Sequence, residues 1–168
     1  GTNGNDWAVR KYDSAGATST SWGTNGMVTY NSGGTQVDIA QAITIDASNN
    51  IYVAGYQNSA ANGDDWAVRK YTSTGALATS WGSSGMVTYD SGGTQNDYAF
   101  AIAIDANNNI YVAGRQQTNG DWAVRKYDST GATSTSWGTN GMVTYDSGAG
   151  QFDSAYEIAI DANNNIYV

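Results

Sequence analysis

The stretch Asp65-Trp-Ala-Val-Arg-Lys-Tyr71 decides how this chain reads, because it occurs three times, beginning at Asp6, Asp65 and Asp121. Trp-Gly followed by Gly-Met-Val-Thr-Tyr keeps step with it from Trp22, Trp81 and Trp137. Asn-Ile-Tyr-Val does the same from Asn50, Asn109 and Asn165. Every marker advances by 59 residues and then by 56. The three-residue difference falls between Val53 and Asp65, compared with Val112 to Asp121. A unit that is constant inside and elastic at one loop is a structural module. Residues 1–168 thus read as one region of three units, at about 5–63, 64–119 and 120–168.

Within a unit the pattern predicts four short strands. Ala99-Phe-Ala-Ile-Ala-Ile104 alternates small and large with period two, which places the large set on one face and the alanines on the other. Asp105-Ala-Asn-Asn-Asn109 is a turn built from residues that tolerate left-handed backbone. Ile110–Gly114 is the second strand, and Trp122–Tyr127, beyond the elastic loop, is the third. The Ser129–Gly131 turn and the Trp137-Gly138 corner lead to a fourth, Met142–Tyr145. Four antiparallel strands per repeated unit is the pattern of a β-propeller blade, so an all-β fold is expected. A β-solenoid is the alternative, but its coils repeat over far fewer residues.

Composition agrees and excludes several functions. The chain is 40% apolar, supplied by Val, Ile, Tyr and Trp against Gly, Asn, Ser and Thr, which suits pleated strands and tight turns. The net charge is −8, and six of the seven cations are the paired Arg-Lys of the heptapeptides, so no basic stripe for nucleic acid exists. Neither histidine nor cysteine occurs, which removes Ser-His-Asp and Cys-His catalysis and the usual transition-metal ligands. No apolar run is long enough to insert into a bilayer as a helix. The opening Gly1-Thr-Asn-Gly4 lacks an initiator Met, which reads as a processed product or part of a longer polypeptide.

The order Asp121-Trp-Ala-Val-Arg-Lys-Tyr-Asp-Ser-Thr-Gly131, then Ser136-Trp-Gly-Thr-Asn-Gly-Met-Val-Thr-Tyr-Asp-Ser-Gly148, with Ala101-Ile-Ala-Ile-Asp-Ala-Asn-Asn-Asn-Ile-Tyr-Val-Ala-Gly114, resembles the delta-60 repeat. It is also similar to the SBBP (seven-bladed propeller) repeats of bacterial secreted and surface proteins. The resemblance covers essentially the whole chain. It departs in Trp where Phe is usual at the corner, and in Asn-Asn-Asn where Asp-Gly is usual in the hairpin turn. It implies propeller blades and an extracellular or cell-surface location rather than any one activity.

Candidate sites each meet a plainer reading. Asp46-x-Ser48-x-Asn50, Asp105-x-Asn107-x-Asn109 and Asp161-x-Asn163-x-Asn165 mimic the start of a calcium loop. They lack its sixth-position Gly and its terminal Glu, so the turn reading is preferred and no cofactor is expected, calcium being the one alternative. Asp128-Ser-Thr-Gly131 followed by Trp137 faintly resembles the tryptophan-docking motif of quinone-dependent propellers, but the spacing differs and inter-blade packing explains the Trp better. Arg10 and Lys11 point to opposite faces of a strand and are expected in ordinary ion pairs. A carboxylate pair for glycoside hydrolysis is not singled out, since nearly all acids recur in register and Glu157 is the only glutamate.

The differences between copies are more informative. At the mouth of the first strand stand Val37, Ile39 and Gln41, then Asn96, Tyr98 and Phe100, then Phe152, Ser154 and Tyr156. With the elastic loop from Tyr56 and Arg115, Ile39, Gln41, Tyr98, Phe100, Phe152 and Tyr156 form a candidate contact surface. Drift at tolerant positions is the plainer alternative.

The frame is offset: the chain begins in a third strand and ends in a second, giving two full blades between two half blades. The half blades expose strand edges for neighbouring repeats or copies of the same chain, closing into a six-bladed ring from two chains or extending as a filament. The expected function is a non-catalytic extracellular structural or adhesive repeat protein, part of a surface propeller or polymeric appendage. A lectin-like propeller that binds glycans is the alternative, and a polysaccharide-acting enzyme is least supported.

Overall fold

The structure, a computed structural model, describes residues 4–33, 35–59, 63–117, 120–148 and 151–168. Residues 1–3 and the tips of the two elastic loops, 60–62 and 118–119, lie outside the described residues. The strands are β1 (Trp7–Arg10), β2 (Met27–Tyr30), β3 (Asp38–Ile45), β4 (Ile51–Ser59), β5 (Gly63–Tyr71) and β6 (Met86–Tyr89). They continue with β7 (Tyr98–Ile104), β8 (Ile110–Arg115), β9 (Trp122–Tyr127), β10 (Met142–Tyr145), β11 (Ala159–Ile160) and β12 (Ile166–Tyr167). The fold is all-β. Four antiparallel sheets follow one another: β1-β2, then β3-β4-β5-β6, then β7-β8-β9-β10, then β11-β12.

The hairpin turns form where the letters predict. Asn49, Asn108 and Asn164 take φ of 61°, 61° and 62°, a left-handed conformation that Asn tolerates because its short amide bonds locally. The Asp that opens each turn accepts backbone N–H bonds from the residues two and four positions on: Asp105 Oδ1 takes those of Asn107 and Asn109, both at 2.9 Å. This arrangement holds β7 to β8, and Asp46 does the same between β3 and β4.

Two expectations change. The strict period of two from Ala99 to Ile104 breaks at a β-bulge between Ala99 and Ala101, matched by one between Ala40 and Ala42. The cause lies across the ladder: a Cβ on Gly114 would run into the Tyr98 carbonyl oxygen, and one on Gly55 into that of Ile39. Glycine lets the bulged backbone approach, and the extra residue shifts the phase of the strand. Ala99, Ile102 and Ile104 therefore pack into one cluster while Ala101 joins another. The elastic segment at the end of the first unit, moreover, is mostly not a loop. Its extra length prolongs the hairpin, with Gln57, Asn58 and Ser59 paired to Asp65, Asp64 and Gly63, so Tyr56 lies inside a strand opposite Trp66.

The core lies between sheets. Trp7, Trp22, Ile51, Val53 and Tyr71 fill the space between the first sheet and the second. Tyr52, Trp66, Trp81, Ile110, Val112 and Tyr127 fill that between the second and third. Tyr111, Val124 and Ala155, with Trp137, Ile158 and Ile166 against them, begin the next. Each boundary is also pinned by backbone. Gly23 N–H donates to the Thr74 carbonyl at 2.9 Å, and Gly82 N–H to that of Thr130 at 2.8 Å. Gly75 and Gly131 lie so close on the Trp22 and Trp81 rings that an added Cβ would meet those rings at 3.0 and 2.9 Å.

Candidate functional site

The residues that vary at the strand mouths are brought together as a row of rings. Ile39 and Tyr56 are cross-strand partners on β3 and β4, and Tyr98 and Arg115 on β7 and β8. The Tyr56 and Tyr98 rings meet edge-on at 4.8 Å, bridging the second sheet to the third. Phe100 stacks on Tyr98 at 6.0 Å and on Tyr156 at 5.0 Å, which carries the row towards the last sheet. The bulge falls at Phe100, so a local break in the ladder accompanies the turning of this ring towards its neighbours. The Arg115 guanidinium lies 5.2 Å from the Tyr98 ring and 5.3 Å from Phe152, a cation held over two faces.

Exposure grades along the row. Tyr56, Tyr98 and Phe100 are half-buried, whereas Phe152 and Tyr156 are each 67% exposed. Burial pushes the Tyr56 and Tyr98 hydroxyls above their ordinary range, and the nearby Asp64 carboxylate pushes the same way. Gln41 partly offsets this at Tyr56, which places its exposed amide beside the row. Asn58 Nδ2 donates to Asp64 Oδ1 at 2.7 Å, and Asp64 N–H donates to Asn96 Oδ1 at 2.9 Å. The rings thus have a rim of carboxylate, amide and guanidinium groups, a mixture able to stack against a flat apolar face while hydrogen-bonding its edges.

The three calcium-loop look-alikes have their carboxylates occupied. Besides its two backbone bonds, Asp46 takes Asn50 Nδ2 at 2.8 Å and the Tyr52 hydroxyl at 3.2 Å. Asp105 takes Asn109 and Tyr111, and Asp161 takes Asn165 and Tyr167, in the same way. Partial burial raises the Asp46 and Asp105 carboxyls, but these donors outweigh it and hold both below the ordinary carboxylate range. Each carboxylate does the work of a turn.

The Arg-Lys pairs face opposite ways. Arg10 and Arg125 donate to the Thr18 and Thr133 hydroxyls at 3.4 and 3.3 Å, and the pairs of the second and third sheets also lie over rings. Arg69 lies 3.9 Å from the Tyr30 ring of the preceding sheet, and Arg125 4.1 Å from Tyr89. Lys70 and Lys126 lie over Tyr52 and Tyr111 of their own sheets, at 4.9 and 5.2 Å. Arg69 and Arg125 therefore help bind one sheet to the next, while the lysines cover rings of their own sheets.

Sequence reasoning missed one grouping. Asp65, Asp90 and Asp97 bring carboxylate oxygens within 4.8 Å of one another. Their counterparts recur in nearly every copy, so they looked like scaffold. The usable signal was the exception, Asn31 in place of Asp90 in the first unit.

No family model matches the chain, and no curated protein matches it. No helix among the described residues is long and apolar enough to cross a membrane.

Proposed function

We propose that this chain is a non-catalytic structural or adhesive repeat protein of the delta-60 and SBBP kind, its sheets serving as propeller blades outside the cell. The observation that carries the reading is the junction, made twice with the same parts: a Thr-Gly turn of one unit seated on the Trp-Gly corner of the unit before it. A surface built by repeating one junction extends without new chemistry, as an appendage or display scaffold requires. The two-stranded sheets β1-β2 and β11-β12 each correspond to half of a four-stranded one. An adjoining repeat, in the same polypeptide or in another copy, completes them by pairing β12 with β1 in the register that β4 makes with β5. Small-angle X-ray scattering tests the blade reading. A curved arc of sheets about an axis is expected, and a straight stack would contradict it.

A second reading has its own support. The Tyr56–Tyr98–Phe100–Tyr156 row, rimmed by Asp64, Asn96 and Arg115, offers ring faces and polar edges together, the combination that holds a sugar ring. On this reading the propeller is lectin-like and adhesion proceeds through glycans. Binding on a glycan array, lost in Tyr98→Ala, is the expected result. Equal retention by the variant would remove the row from the function.

A further inference from the structure

The second unit gathers three carboxylates away from its hairpin turn at Asp105 and from the aromatic row. Asp65 opens the heptapeptide on β5, Asp90 follows β6, and Asp97 precedes β7. Asp97 is fully buried and fixed: Ser91 N–H and Oγ donate to it at 2.6 and 2.9 Å, and Gln117 N–H at 3.0 Å. Asp65 is only 7% exposed, and its Oδ1, buried beside the other two carboxylates, receives no hydrogen bond among the described residues. A buried carboxylate oxygen without a donor is costly, and like charges alongside add to the cost.

The first unit shows how this position is otherwise satisfied. Asn31 stands where the second unit has Asp90, and its Nδ2 donates to Asp6 Oδ1 at 2.8 Å. An amide there supplies the missing donor. With Asp90, whose own Oδ1 accepts the Gly92 N–H at 2.6 Å, in its place, that donor is replaced by a second carboxylate beside the orphaned Asp65 Oδ1, which a cation would satisfy.

We propose that Asp65, Asp90 and Asp97 form a calcium site between the second and third sheets. The ligand set is all oxygen, which suits a hard cation. Calcium holds its oxygens at roughly 2.3–2.6 Å, so ligands on opposite sides of it are about 5 Å apart. The 4.8 Å span of the three carboxylates fits that shell. Magnesium, at roughly 2.0–2.1 Å, needs oxygens closer together. Asp65 lies on β5 and Asp90 directly follows β6 of the second sheet, and Asp97 leads into the third, so the ion ties consecutive sheets at a point apart from the Gly-Trp junction.

The test is calorimetric titration of calcium chloride into the chelator-stripped chain at pH 7, with Tm measured alongside. Saturable binding in the micromolar to millimolar range is expected, raising Tm by about 3 °C or more at saturation. Asp90→Asn, which installs the first unit's arrangement, should weaken binding at least about tenfold while the protein stays folded. Asp161→Asn, in one of the hairpin turns, should leave binding unchanged. Magnesium should bind more weakly than calcium. The site is refuted if the unmodified chain shows neither heat nor Tm shift up to about 10 mM calcium, or if Asp90→Asn binds as well as the parent. Loss of binding in Asp161→Asn alone would likewise overturn it, since it would place the ion in the turns.

Discussion

Trp81 and Trp137 hold the same place in consecutive units and have the same flanking Gly, yet Trp81 is 2% exposed and Trp137 is only half-buried. Both make the same edge-on contact at 5.6 Å with a tyrosine of their own sheet, Tyr52 and Tyr111. What differs is the neighbour. Gly131 of the next unit lies against the Trp81 ring and Thr130 accepts from the Gly82 N–H, contacts that Trp137 and Gly138 lack among the described residues. The corner is thus a property of the unit, and its burial is a property of the junction. The same contrast runs through the heptapeptide: Trp66 is buried and donates its Nε1–H to the Arg115 carbonyl at 3.0 Å, while Trp122 is half-buried.

The largest expected effect breaks this comparison directly. Trp81→Ala should destabilise by about 3–5 kcal/mol, as large aromatic truncations in cores do, while Trp137→Ala should cost about half of that or less. Chemical denaturation measures both. Equal losses would mean that the junction adds nothing to the corner. Next come the glycines that ride on these rings. Gly16 and Gly131 share a left-handed φ, 83° and 89°, but an added methyl at Gly16 meets nothing within 4 Å. Gly16→Ala should therefore cost only backbone strain, about 1 kcal/mol. Gly131→Ala should cost about 2–3 kcal/mol, because the methyl also wedges against Trp81 and Gly82.

A subtler contrast separates two carboxylates of one unit. Burial pushes the Asp65 carboxyl up to about 6, tempered by the Ser59 hydroxyl and reinforced by Asp90, Asp97 and Asp64. Asp105 is held below its ordinary value. A raised group favours the folded state most when protonated and loses that contribution as pH rises through its folded value, here between about 4 and 6. A lowered group contributes above its ordinary value and loses that as pH falls below it. In chelator, melting curves should show the protein more stable at pH 5 than at pH 7, and Asp65→Asn should flatten that difference. A parent protein that gains stability steadily from pH 5 to pH 7 would contradict the assignment. The smallest effect is at Ser84, which takes φ 53° where the other units place Asn25 and Asn140 at 51° and 52°. Ser84→Asn should stabilise by about 0.5 kcal/mol, since Asn accepts left-handed backbone more readily.

Strands and turns were legible because each is encoded within a few residues: a short apolar run following a turn for Ile110–Gly114, an Asp and a left-handed Asn for Asp105–Asn109. The bulge at Phe100 was not, because its cause, Gly114, lies on the opposite strand and reads locally as an ordinary end of a hairpin. Tyr56 was misplaced for a similar reason. Three extra residues look the same in sequence whether they lengthen a loop or extend a ladder, and the pairing of Asn58 with Asp64 decides it. The aromatic row was visible as variation, but its continuity from Tyr56 to Tyr156 depends on how sheets stack. The Asp65–Asp90–Asp97 grouping depends on the same stacking, so regular recurrence concealed it.

On the proposed reading, the junction between units is also how the end sheets are completed. Light scattering of the isolated 168-residue chain over a range of concentrations tests it most directly. Unpaired strand groups buried without partners cost about 1–3 kcal/mol each, so β12 should seek the β1 edge of another copy. Mass rising with concentration to dimers or longer head-to-tail assemblies is the predicted result, reduced when Trp137→Ala removes the corner that the next unit covers. A folded chain that stays monomeric at the highest concentration would contradict it.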